Sequence, residues 1–272
     1  MAKIMFPCKE IWFGLILVQW VFMQPTLGHE AWIEPHIFQG SVEKKIIAEF
    51  KLGQDFKGDS LSYIPENIIF AGVKDRLGNR ALRGFSGDYP AINEITRVAG
   101  LQIIYVLTKK QHLTYADSLL FEQFLIEKGL DWVIGAHQKR NLPEKNITES
   151  FSRCAKALIR RGVQDGQDEA IGMPFEFIIE NNPYDNESKT VSEIYARLLW
   201  KGKPHRFAQI TIFNKATRLL VSKTRTDEEG RVKIPINEGG VFLLNSVHMI
   251  SGGESLKPMW HSYWASSTFE IK

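Results

Sequence analysis

The residue best placed to do chemistry in this sequence is His29, and its chemistry depends on what precedes it. Lys3 and Lys9 lead into an apolar run from Ile11 to Met23 broken only by Gln19, and Pro25-Thr26-Leu27-Gly28 then supplies a helix breaker and small residues. That run is too short to span a bilayer comfortably but fits the apolar centre of a secretory signal. Cleavage after Gly28 is predicted in preference to an uncleaved anchor, and it makes His29 the first residue of the exported chain. A free α-amino group beside the imidazole then lets one residue offer two nitrogen ligands to a borderline metal such as Cu, Ni or Co. The competing reading of His29 is a frayed chain end.

Few other chemistries have support. Cys8 leaves with the signal and no cysteine follows the small-residue site, so neither an internal disulfide nor a lipid anchor is expected. Cys154 reads as a small buried hydrophobe inside a helix. There is no His-x-x-x-His, Cys-x-x-Cys or clustered-carboxylate loop, which leaves a closed zinc or calcium site without a basis. Nucleophile elbow, P-loop and dinucleotide-binding glycine patterns are absent. Asp117, Glu122 and Glu127 read as helix-face acids, so no catalytic residue and no organic cofactor is assigned.

Composition bounds the class. The chain of 272 residues is 44% hydrophobic and 24% charged, the proportions of a folded soluble protein rather than a disordered tail or a multispan membrane protein. Its 34 Lys plus Arg against 31 Asp plus Glu are dispersed, which argues against a nucleic-acid binder. Loss of residues 1–28 leaves 244 residues, one cysteine and a formal charge of +2.

The elements that must position these residues alternate between two periods. From 29 to 115 the pattern is β: Ile46, Ala48, Phe50 and Leu52 share one strand face, residues 67–74 and 80–83 form a hairpin across Leu77-Gly78-Asn79, and 101–107 is a further strand. Asp117 caps a predicted helix over 118–128 with Leu120, Phe121, Phe124 and Leu125 as its apolar stripe, and Gly129 stops it. A second helix is predicted over 146–161 from Asn146 and Glu149, with Phe151, Ala155, Leu158 and Ile159 at helical spacing and Arg153, Lys156, Arg160 and Arg161 as a solvated face. From 171 onward about seven strands follow at sandwich spacing, with Thr226–Arg231 as a hairpin tip. The expected organisation is a signal peptide at 1–28, an N-terminal sandwich at 29–115, a helical segment at 116–168 and a C-terminal sandwich at 169–272. The fold class is mainly β: two antiparallel Ig-like β-sandwiches with a two-helix insertion.

Several motifs, in order, carry a resemblance: His29-Glu30-Ala31-Trp32-Ile33-Glu34-Pro35, Ser152-Arg153-Cys154-Ala155-Lys156-Ala157-Leu158, Asn182-Pro183-Tyr184, Gly202-Lys203-Pro204, Thr226-Asp227 with Gly230-Arg231, Val247-His248-Met249 and Ser262-Tyr263-Trp264-Ala265-Ser266. The chain resembles a bacterial secreted family of unsettled function whose members were historically labelled nickel uptake transporters or periplasmic components of nickel-cobalt transport. Its second half also resembles the transthyretin-like, or carboxypeptidase-regulatory-like, sandwich. The resemblance implies a ligand role for His29 and for His248. Alternation supports a separate role for His248, because Val241, Leu243, Val247 and Met249 form one face and Phe242, Leu244, Ser246 and His248 the other. If the first face is the sandwich core, His248 looks to solvent or to the first domain, and His29 with His248 makes a three-nitrogen brace. His261 is the next candidate ligand, although the family has a carboxylate more often at its position. His36, His112, His137 and His205 receive no role, and Trp260, Tyr263 and Trp264 read as core rather than as a sugar platform.

The resulting expectation is a periplasmic, non-catalytic metal-binding protein accessory to nickel or cobalt uptake. It would hold Ni, Co or Cu and hand it to a membrane metal transporter. It would bind no nucleic acid and keep no membrane span once the signal is removed. Two alternatives come from other classes: a metal-free two-sandwich module that binds a surface protein or polysaccharide, and a copper oxidase built on the same brace.

Overall fold

The computed structural model describes residues 29–163, 166–184, 191–217, 219–253 and 257–272. The predicted signal sequence, its cleavage point and Cys8 lie outside the described residues.

Strands β1 (Glu30–Pro35), β2 (Gln39–Gly40), β3 (Ile46–Gln54) and β4 (Lys57–Leu61) open the chain. The predicted hairpin forms as β5 (Ile68–Asp75) and β6 (Gly78–Ala81), followed by β7 (Ile92–Glu94), β8 (Gly100–Thr108) and β9 (Gln111–Asp117). Helices α1 (Ser118–Glu127) and α2 (Trp132–Lys139) come next, then a long strand β10 (Lys145–Arg161). The second half supplies β11 (Phe175–Ile179), β12 (Glu193–Trp200), β13 (Lys203–Pro204), β14 (Gln209–Asn214), β15 (Leu219–Arg225), β16 (Arg231–Pro235), β17 (Gly240–Ser251) and β18 (Trp260–Ile271).

Among the described residues these strands make three sheets. One has the order β1-β3-β4, with β7 also paired to β3. The central sheet runs β15-β14-β17-β18-β10-β8-β5-β6, with β2 and β9 also on β10, and the third is β11-β12-β13 with β16 on β12. Strict alternation sends the two faces of the central sheet to different cores. On β8, Ile104 and Val106 pack with Ile33, Ile46, Ala48 and Ile92 of the first sheet, whereas Ile103, Tyr105 and Leu107 pack with Phe175, Phe177, Ile194 and Leu198 of the third. The fold is thus two β-sandwiches that share their middle layer. Each large apolar side chain fully buried this way contributes roughly 1.5–3 kcal/mol.

The first helix is where the sequence places it. The Asp117 carboxylate accepts a hydrogen bond from the Leu120 amide at 3.1 Å, the expected N-cap. Phe121, Phe124 and Leu125 are buried. With α2 they cover Val247, Met249, Trp260 and Trp264, an end of the central sheet's first face. Trp260 and Trp264 are therefore core residues.

The second predicted helix is corrected. Residues 146–161 lie within β10, which pairs parallel with β18 over Glu149–Ala157 and antiparallel with β9 and β8 at its two ends. Both faces of β10 are covered, so its apolar residues need not alternate, and in a strand buried on both sides the chance spacing of Phe151, Ala155, Leu158 and Ile159 imitates a helical stripe. The predicted solvated cations are corrected with it: Lys156, Arg161 and Arg153 are 0%, 1% and 7% exposed. Lys156 Nζ meets the buried Asp168 carboxylate at 2.6 Å and donates to the Phe177 carbonyl at 2.8 Å, tying β10 to β11. Cys154 is buried, as expected, but on this strand, and burial pushes its thiol up to about 12.

Candidate functional site

Two histidines from different sheets meet at the edge of the second sandwich. Lys201 and Gly202 both have positive φ, at 49° and 74°, and their turn folds β13 back on β12 so that Leu199 faces Pro204. The His205 amide then donates to the Leu198 carbonyl at 2.9 Å, which fixes the residue beside β12. His248 lies on β17 opposite Tyr263 of β18, on the face that carries Phe242 and Leu244 into the second core. The two imidazole centroids are 4.4 Å apart, with ring planes at 75°. Trp200 packs on His248 at 4.3 Å, and Phe175 touches both imidazoles, at 5.3 Å from His205 and 5.8 Å from His248.

This environment sets the charge state. Burial pushes the His248 imidazole down to about 4, helped by His205 and Lys201, and burial also lowers His205. Both rings are neutral at physiological pH, the form that coordinates metals. Neither ring is hydrogen-bonded to another described residue, so the unprotonated nitrogen of each is free to donate its lone pair to a metal ion. A pair of neutral nitrogens in an aromatic box suits a soft or borderline transition ion rather than a hard one such as Mg or Ca. Among the described residues no group of three or more His, Cys, Asp or Glu is arranged to hold a metal ion, so the pair supplies two ligands.

His29 is placed elsewhere. It precedes β1, its carbonyl faces Arg153 Nη2 at 3.5 Å, and it lines a cavity of about 560 Å³ with Phe50, Leu52, Phe151 and Arg153. Arg153 and His248 project from opposite faces of the central sheet, because His248 is level with Tyr263 and Ser152 and Arg153 is one residue on. The brace of His29 with His248 is therefore not assembled. Its premise reversed the two faces of β17: Val247 and Met249 look toward the helices, while His248 looks into the second sandwich.

His261 joins neither histidine. Tyr263 stands between it and Trp200, at 4.4 Å from His261 and 4.8 Å from Trp200. Its Nδ1 is 2.5 Å from Ser150 Oγ, its Nε2 is buried without a partner, and burial with nearby Lys110 and His112 lowers it to about 4. His137 is structural: Nδ1 accepts from Trp260 Nε1 at 3.0 Å. His36 sits at the surface beside Glu49 at 3.1 Å. His205 is the residue that sequence reasoning passes over. Its only signal is the Gly202-Lys203-Pro204 turn after Trp200, and nothing in that turn points to β17.

Known proteins place the chain as follows. No curated protein matches it. Among solved structures it is similar to the BSP domain of a biofilm-associated protein, at 9% identity and a TM-score of 0.19 over 88% of this chain and 30% of that one. It is also similar to the D0–D1 domain of intimin, at 10% identity and a TM-score of 0.19 over 88% of this chain and 97% of that one. Thus the chain spans under a third of the length of the first. A family described as Domain of unknown function (DUF4198) matches residues 26–250, and the chain belongs to that family.

Proposed function

We propose that the protein is an exported, non-catalytic metal-binding protein that serves uptake of a nickel- or cobalt-type transition ion, and that it holds the ion at His205 and His248. The observation that carries this reading is the 4.4 Å approach of two imidazoles that burial keeps neutral. Two nitrogens at a half-buried edge leave most of the coordination sphere to water or to a partner. Such a site releases its ion by ligand exchange, which suits a carrier that delivers to a membrane transporter. Affinity for nitrogen ligands rises from Co to Ni to Cu, so copper is the expected competitor.

Export is read from the amino-terminal sequence, with cleavage after Gly28 and release to the periplasm. Among the described residues no helix is long and apolar enough to cross a membrane. The second sandwich, on this reading, is a transthyretin-like binding module, and the docking of its outer sheet on the central sheet is what forms the histidine pair. Cells that lack the protein should accumulate radioactive nickel or cobalt more slowly at limiting metal, and the His205→Ala, His248→Ala double variant should not restore uptake. Full restoration by that variant would favour the metal-free interaction module instead.

A further inference from the structure

A second site lies on the other side of the central sheet, where Arg153 enters the cavity of about 560 Å³ between the first sheet and strands β9 and β10. That volume is in the range of small-molecule pockets. The guanidinium is 7% exposed, yet among the described residues no carboxylate lies within ion-pair distance of it. Nη1 donates to Gln111 Oε1 at 2.6 Å, Nη2 reaches the His29 carbonyl only at 3.5 Å, and Nε is buried with no partner. The plane lies over the Phe151 ring at 4.6 Å, which fixes the direction of the fork. An uncompensated buried cation is costly, and its spare donors point to an anion that completes it.

The walls describe that anion. The ionisable residues lining the cavity are Arg153, His29 and His112, and among the described residues no Asp or Glu lines it. Glu149 acts on Arg153 from four residues back along the same face of β10. Its carboxyl is committed to the Tyr115 hydroxyl at 2.8 Å and to Ser262, and burial favours its neutral form. The rest of the wall includes Phe50, Leu52, Ile68, Leu113 and Phe151. One guanidinium fork with an apolar wall matches a monoanion with an apolar body. A phosphate dianion would need more cations and more donors.

We propose that this cavity binds a small organic carboxylate, with the head group in the fork of Arg153 and an apolar body along Phe50, Leu52, Leu113 and Phe151. The bound carboxylate takes Nε and Nη2, which Gln111 leaves free. The site shares no residue with the histidine pair, so the proposal stands apart from metal binding.

Calorimetric titration of the exported chain with octanoate, octan-1-ol and inorganic phosphate tests it. Octanoate should bind one to one, about tenfold or more tighter than octanol, with no measurable phosphate binding. Arg153→Lys keeps the charge but loses the fork and should weaken octanoate about tenfold. Because Arg153 is buried, Leu113→Trp provides a second variant: it fills the cavity from a half-buried position and should abolish binding in a chain that still melts cooperatively. Nickel binding should be unaffected by either change. Absence of octanoate binding, equal affinity for octanol, or unchanged affinity in folded Arg153→Lys would overturn the proposal.

Discussion

The imidazoles of His205 and His248 touch edge to face although 43 residues separate them in sequence, and each belongs to a different layer of the second sandwich. His248 is carried by the central sheet through β17, and His205 follows β13 of the outer sheet. The pair therefore exists only when the outer sheet is docked, which couples any ligand it holds to folding.

That coupling gives the first prediction. A ion that binds the folded pair and not the unfolded chain stabilises the protein by about 2.7 kcal/mol at a hundredfold excess over its Kd. Thermal melts with and without nickel should show this shift in the native sequence and lose it in His205→Ala. Equal shifts in both would place the ion elsewhere.

The histidines also predict an acid transition. His248 and His261 titrate near 4 in the folded state against 6.5 in the unfolded chain, and His205 is lowered in the same direction. An imidazole depressed by folding binds more protons when unfolded, so its contribution is full above pH 6.5 and is lost as pH falls toward 4. Urea midpoints should fall steeply over that window, and the fall should be shallower in His248→Gln. An identical slope in the variant would mean that His248 is not held neutral by burial.

Glu149 has the opposite sign. Burial raises its carboxyl from 4.5 to about 7, so its contribution is full below pH 4.5 and is lost as pH rises through 7. Glu149→Gln mimics the neutral acid toward Tyr115 and Ser262. The variant should gain on the native protein by about 2–3 kcal/mol between pH 5 and pH 8, measured by denaturant unfolding. A difference that does not change with pH would show that Glu149 is ionised throughout.

Lys156 and Asp168 form a buried pair that joins the central sheet to the strand after it. Removing one charge strands the other, so Lys156→Met should cost about 3–5 kcal/mol. Adding Asp168→Asn should recover part of that loss, because the remaining side chain carries no charge and can still accept from the Ile179 amide, now at 2.8 Å from Asp168. No recovery in the double variant would show that Lys156 acts through packing alone.

How far these features could be read in advance follows from what alternation reports. Helix α1 has one wet face and strand β3 alternates, so their periods are plain in the sequence, and the β5–β6 hairpin is marked by its Leu77-Gly78-Asn79 turn. Strand β10 has no wet face, so its charged residues looked solvated when Lys156 and Arg161 are among the most buried side chains. The parity of His248 against Val247 and Met249 was legible, but which face meets which layer was not, because both faces of the one central sheet are buried. The partner His205 was hidden for the same reason, since alternation relates neighbours on a strand and is silent about contacts between sheets.

Metal stoichiometry of the chain from His29 onward and three variants tests the central claim most directly. Equilibrium dialysis against nickel should give one bound ion in the native protein and in His29→Ala, and should show loss of that ion in His205→Ala and in His248→Ala, with all four chains folded. Retention of the ion without His205 or His248, or its loss on replacing His29, would contradict the account.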